Sequence, residues 1–206
     1  MSDIAADQGD APVGEQPKSA PDDRGTAGPL DESEANAVRP YVDLGGVKIL
    51  PRPDLHLRLE VEEGSKRVVA VGLDYAGSTL QVQPFAAPRS SGLWHEIRQQ
   101  IVDQIHKQGG KTNVVDGPFG PEVRAEIPVA AGQAGGSRVA RFIGVDGPRW
   151  FLRGVIAGEG AAGGEGASQI EDLFRSIVVV RGNTPMPPRD LIPLSMPATG
   201  PAAAQA

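Results

Sequence analysis

Leu55-His56-Leu57-Arg58-Leu59-Glu60-Val61-Glu62 alternates apolar and polar residues at every step. Successive side chains of an extended chain point to opposite faces, so this stretch has one buried and one wet face, as a strand with a core on one side does. Glu63-Gly64-Ser65-Lys66 reads as a turn. Val68 to Tyr75 follows as a second strand with few polar interruptions, which suits a more central place. Ala76-Gly77-Ser78 turns the chain again, and Thr79 to Phe85 is a third strand, stopped by Pro84 and Pro88. Turns this short join antiparallel neighbours, so the three strands form a meander.

Outward from this meander the period changes. In Ser91 to Gln108, Leu93, Trp94, Ile97, Ile101 and Ile105 fall within about 120° at about 100° per residue, the apolar stripe of a helix. Ser90-Ser91 suits its N-cap and Gly109-Gly110 its stop. Thr112–Val115 and Glu122–Val129 are expected as short strands around Asp116-Gly117-Pro118. Arg138–Asp146 and Arg149–Ala157 form a hairpin about Gly147-Pro148. Both of its faces are apolar, so it belongs at the centre of a sheet covered on both sides. A Gly/Ala/Glu loop spans 158–167, and Ser168-Gln169-Ile170-Glu171 opens a second helix with a capping-box pattern. Val178-Val179-Val180 is a last buried strand. Tyr41–Leu50 adds a candidate strand before the meander. The sum is an α+β fold: a mostly antiparallel sheet with two packed helices.

Composition sets the outer bounds. The chain has 206 residues, no cysteine, and a formal charge of −6. Without cysteine there is no disulfide scaffold, thiolate catalysis or Cys-based zinc site. Residues 1–38 hold nine acidic residues against two basic ones, no aromatic residue, and almost no Leu, Ile or Val. Such a segment lacks the apolar area to offset an ordering entropy of about 1–2 kcal/mol per residue, so 1–38 is expected to be a disordered acidic tail. The expected domain is 39–182. A proline-rich extended arm at 183–197 then packs on the domain or on a partner, and 198–206 is again loose. A near-neutral domain with an acidic tail does not collect a phosphate backbone, so no nucleic-acid partner is expected. No apolar run reaches the roughly 18 residues of a membrane span, so no membrane is expected. The start Met1-Ser2-Asp3-Ile4 shows no secretory pattern, which makes the expected location cytoplasmic.

Three stretches carry a resemblance: Tyr41-Val42-Asp43-Leu44-Gly45, Phe151-Leu152-Arg153-Gly154-Val155-Ile156-Ala157-Gly158, and Arg181-Gly182-Asn183-Thr184-Pro185-Met186-Pro187-Pro188-Arg189-Asp190-Leu191. Together they resemble domain-of-unknown-function family 3710, an actinobacterial family of uncharacterised proteins, over roughly 39–197. The resemblance implies no activity and brings no catalytic residue. The closing strand–loop–helix–strand order also resembles the PsbP-like α/β sandwich, in pattern only.

The candidate chemistry is sparse. Gly158-Glu159-Gly160-Ala161-Ala162-Gly163 matches G-x-G-x-x-G between a strand and a helix. However, a dinucleotide site needs its glycines to lead straight into the helix, and Glu159 and Glu165 repel phosphate. A flexible loop is the better reading, and no cofactor is implied. His95 and His106 are too far apart on one helix to share a metal, and His56 lies on the wet side of its strand. No Gly-x-Ser-x-Gly elbow is present. Glu60 and Glu62 face water rather than one another.

Two clusters stand out. Arg141, Trp150 and Arg153 gather on the 138–157 hairpin, where arginine forks and an aromatic face suit an anionic ligand or a partner. The simpler account makes them core aromatics with flanking arginines. Met186, Pro187, Pro188, Arg189 and Leu191 lie in an apolar, pre-stiffened arm. It either folds back to close the chain's own core or docks on another chain. The expected function is a non-enzymatic binding or accessory module acting through contact with a protein partner or a second copy of itself. The competing expectation is a small-ligand-binding domain or enzyme with an Arg/Trp-lined pocket on that hairpin.

Overall fold

In chain order the elements are α1 (Arg24–Ala27), β1 (Leu30–Asp31), a 3-10 turn (Glu32–Glu34), β2 (Val42–Asp43), β3 (Val47–Ile49), β4 (His56–Val61), β5 (Val68–Tyr75) and β6 (Ser78–Ala86). Then come α2 (Trp94–Lys107), β7 (Lys111–Gly117), β8 (Gly120–Pro128), β9 (Ser137–Asp146), β10 (Trp150–Gly158), α3 (Glu159–Ala162), α4 (Glu165–Arg175) and β11 (Val178–Val179). They are taken from a computed structural model that describes residues 16–129 and 136–197. The fold is α+β and mostly antiparallel, and the described residues include two longer helices, α2 and α4, and two single-turn ones.

The large sheet has the order β4-β5-β6-β10-β9-β8-β7. The meander is its first edge and the β9–β10 hairpin its centre. A second sheet, in the order β1-β11-β3-β2, contains a parallel pair, Leu30 with Val178. This small sheet and α4 cover one face of the large sheet. There Leu44, Val47 and Val179 meet Leu73, Leu80, Leu152, Ile156 and Phe174 in the main core. The helix α2 covers half of the other face, where Trp94, Ile101 and Ile105 pack on Ala125 and Phe151. Trp94 stacks on Phe151 at 5.8 Å between ring centroids, and Phe85 stacks on Phe151 at 6.1 Å. Gly144 makes room for this stack, since a Cβ there would come within 2.5 Å of the Trp94 ring.

Several expectations are corrected. Of the tail expected to be disordered over 1–38, residues 1–15 lie outside the described residues, but 16–38 are built into the fold, so the domain does not begin at 39. Leu30-Asp31 adds an edge strand to β11, Asp31 and Glu34 form a capping box, and Arg24 grips Glu34 with both Nη atoms. Polar pairing orders a segment that has too little apolar area to order itself. The expected Ser90-Ser91 cap is replaced by a remote one. The Asp146 carboxylate at the end of β9 accepts from Leu93 N at 2.8 Å and Trp94 N at 3.4 Å. The expected capping box at Ser168 falls inside α4, where Ser168 Oγ donates to the Glu165 carbonyl. The strand β6 runs through Pro84 to Ala86. The Pro84 carbonyl accepts from Ile192 N, so Pro84 turns its polar edge away from β10, and its missing N–H costs no ladder bond there.

The proline-rich arm folds back onto its own chain. Ala86 N donates to the Asp190 carbonyl, Arg189 N to the Ala86 carbonyl, and Ser195 N to the Leu44 carbonyl. The arm thereby bridges the two sheets, and Ile192 and Leu194 are buried in the main core. Residues 198–206, expected to be loose, lie outside the described residues.

Candidate functional site

Strand register decides which side chains share a face, because directly paired residues project the same way. Arg153 pairs with Gln83 on β6 and Gly144 on β9. Val155 pairs with Gln81 and Phe142, and Ala157 with Thr79 and Ala140. These residues therefore lie on the α2 side of the sheet. The helix spans β7, β8 and β9 but leaves β4, β5, β6 and the far half of β10 open. The alternation along β6 reports the same asymmetry: Ser78, Leu80, Val82, Pro84 and Ala86 are buried, and the residues between them are only half-buried.

The open face carries a ladder of polar groups, and nearly all of them are matched. Arg58 bridges to Asp74, which also accepts from Thr79 Oγ1. Gln81 donates to Glu60, and Gln83 donates to the Val69 carbonyl. Arg153 is the exception. Its Nε is buried and has no partner. No ion pair or hydrogen bond reaches its guanidinium among the described residues. Burial alone pushes its pKa down, with no nearby carboxylate to oppose the shift. An arginine stays charged all the same, so a partly desolvated cation here lacks a counter-charge.

Beside it lies a groove of about 520 Å³, walled by Gln81, Arg138, Phe142, Arg153, Val155 and the Ile127 side chain. Its lining offers two guanidinium groups and one carboxamide over an apolar floor, with no carboxylate, imidazole or hydroxyl. That chemistry recognises an anion attached to an apolar body. A protein-family model matches residues 28–203 of this chain, almost the whole described fold. The chain belongs to DUF3710. The printed description of that family is a protein of unknown function, so DUF3710 membership brings no substrate and no catalytic residue. No curated protein and no solved structure matches the chain.

The sequence-predicted residues of this DUF3710 chain are dispersed rather than gathered. Arg141 lies on the opposite face from Arg153 and is saturated. It pairs with Glu122 at 2.8 Å and Glu171 at 2.7 Å, and Nη1 donates to the Gly160 carbonyl at 3.0 Å. Trp150 shares the face of Arg141 but sits at the far end of β10, where its indole Nε1 donates to Asp31. On the arm, Met186 packs against the main core and Leu191 bridges to Phe85. Pro187 and Pro188 are exposed. Arg189 pairs with Glu96 on α2 and not with its neighbour Asp190.

The G-x-G-x-x-G stretch is not a phosphate cradle. It forms α3, where Glu159 N donates to the Gly77 carbonyl and Gly160 N to Ser78 Oγ, and the Glu159 carboxylate stands over Gly77. The groove residues Gln81, Arg138, Phe142 and Val155 were missed because their convergence depends on sheet order. The one signal in the sequence was Arg153, a cation within an apolar run.

Proposed function

We propose that this protein is a non-enzymatic binding module that takes a small amphipathic anion, a carboxylate head on an apolar body, in the groove beside α2. One observation carries the reading: among the described residues, Arg153 is a charged, partly desolvated group on this sheet face with no partner. A planar fork of N–H donors matches a carboxylate, while Phe142, Ile127 and Val155 supply apolar contact. The volume of about 520 Å³ falls in the range of small-molecule sites. The absence of acid, imidazole or hydroxyl from the lining favours recognition over turnover. The arm lends no support to contact with a protein partner, since Ile192 and Leu194 are buried in the chain's own core.

The test is a nuclear magnetic resonance titration of the full chain with octanoate, following the Arg153 Nε–H signal. Saturable movement of that signal, abolished in Arg153→Met with the melting temperature kept, is the expected result. An Arg153 signal unmoved by octanoate at millimolar concentration overturns the reading.

A further inference from the structure

At the other end of the β9–β10 hairpin, around its Gly147-Pro148 turn, cations gather from four separate parts of the chain. Two hollows of about 610 and 260 Å³ meet there and share Asp31, Ser33, Arg149 and Asn183 in their walls. Lys18, Arg89 and Pro148 complete the larger hollow, and Glu32, Arg181 and Gly182 the smaller. We propose that this basic hollow is a binding site for a small molecule bearing phosphate, with two or more anionic oxygens spread across it.

Three of the four cations, Lys18, Arg149 and Arg181, are held in place by carbonyl groups. Lys18 Nζ donates to the Gly147 and Pro148 carbonyls at 2.6 and 2.7 Å, which leaves one of its three protons free. Arg149 Nη2 donates to the Gly182 carbonyl and Arg181 Nη1 to the Thr184 carbonyl, both neutral acceptors. Arg181 Nε is buried with no partner among the described residues. Arg89 is exposed and makes no ion pair or hydrogen bond among the described residues. Against these four stand three carboxylates, of which Asp146 acts on Lys18 but is turned to the Ser19, Leu93 and Trp94 backbone N–H groups. Glu32 is neutralised by Lys48 at 2.7 Å, and Asp31 is turned to Trp150 Nε1 and Ser33. An excess of positive charge is thus concentrated on one spot of a chain whose formal charge is −6.

Carbonyl anchors fix Lys18, Arg149 and Arg181 in advance, so little of their side-chain entropy is lost when an anion arrives. Guanidinium forks match phosphate oxygens in pairs, and an ammonium adds a point charge. A single carboxylate would leave most of these donors unused. A phosphate monoester or diphosphate engages them across both hollows. This site differs from the groove at Arg153 in position and in ligand charge.

The experiment is calorimetric titration of the full chain with inorganic pyrophosphate and inorganic phosphate, sodium chloride being adjusted to hold ionic strength constant. A parallel arm uses phosphatidylcholine vesicles with and without phosphatidic acid. The expected result is saturable binding, tighter for pyrophosphate, that weakens at least tenfold in Arg89→Gln and again in Arg89→Gln/Arg149→Gln. Arg153→Met leaves it unchanged. Binding to phosphatidic acid vesicles alone, with the same loss in the variants, supports the site and makes a lipid headgroup the source of the phosphate. No saturable binding in either arm overturns the proposal, and so does equal affinity in the variants. Arg89 is exposed and makes no bond to any described residue, so Arg89→Gln tests the site with the fold intact.

Discussion

Trp150 Nε1 donates to Asp31 Oδ1 at 2.9 Å across 119 positions of sequence, tying the segment 16–38 to the central hairpin. The indole ring is fully buried, and the Arg24 guanidinium lies over it at 5.7 Å. Asp31→Ala removes the acceptor of a buried donor and the capping-box side chain together. The expected loss is about 1–3 kcal/mol, read by urea unfolding. The emission of Trp150 should shift to the red as water reaches the ring. Trp94 keeps its own bond to the Pro121 carbonyl and supplies an internal reference.

Acid should release the same segment. Burial opposes ionisation of Asp31, but bonds from Ser33 and the Trp150 indole, with the charge of Arg24, hold its pKa below the ordinary value. The bidentate bond from Arg24 does the same for Glu34. A carboxylate with a depressed folded pKa stabilises the fold above its unfolded pKa of about 4 and loses that contribution as pH falls through the folded value. Asp146 runs the other way. Burial raises its pKa despite bonds from Leu93 N, Ser19 N and Trp94 N, so its share is complete below the unfolded value and declines as pH rises through the folded one. Stability followed through Trp150 emission should therefore fall below about pH 4. The double variant Asp31→Asn/Glu34→Gln should flatten that acid limb.

The buried cluster of Arg141, Glu122 and Glu171 fastens α3 and α4 to the large sheet. Arg141 and Glu122 side chains are 3% and 2% exposed. Arg141→Leu leaves the buried Glu122 carboxylate with only the half-exposed Arg124 at 3.0 Å as a counter-charge and should cost about 3 kcal/mol in urea unfolding. Arg141→Leu/Glu122→Leu removes both charges and should recover most of that loss, which is the signature of a structural pair.

What the sequence made legible follows from how local each signal is. Strict alternation at 55–62, the 3.6-residue stripe of α2 and the doubly apolar hairpin each needed only near neighbours, and each element is present. The hairpin's central place followed from its two apolar faces. The ordering of 16–38 was illegible because it depends on partners far away, Val178 for Leu30 and Trp150 for Asp31. The α2 cap was illegible for the same reason, since Asp146 is 53 positions from Leu93. Arg141 and Arg153 were grouped as one cluster, yet an even step of twelve along two paired strands places them on opposite faces. Register alone separates the satisfied cation from the unsatisfied one.

The arm should behave as part of the core. Ile192 is 3% exposed and packs where the two sheets meet. Ile192→Ala should cost about 2–5 kcal/mol, measured by urea unfolding. A chain ending at Gly182 should lose cooperative unfolding, because it uncovers Leu44 and removes the backbone bonds to Pro84 and Ala86. A full-stability truncated chain would return the arm to the role of a docking segment.

Arg153 should show the opposite sign from Arg141. A guanidinium that stabilised the fold would leave a hole in a bonded network on removal, but Arg153 has no network to lose. Arg153→Met keeps much of the stem that packs beside Phe142 and Val155 and deletes a charge that burial penalises. The unliganded variant should be as stable as the parent, or more stable by about 1 kcal/mol, in urea unfolding. A loss of stability comparable to that of Arg141→Leu would mean that Arg153 serves the fold. Stability retained together with lost octanoate binding would mean that its cost is carried for the ligand.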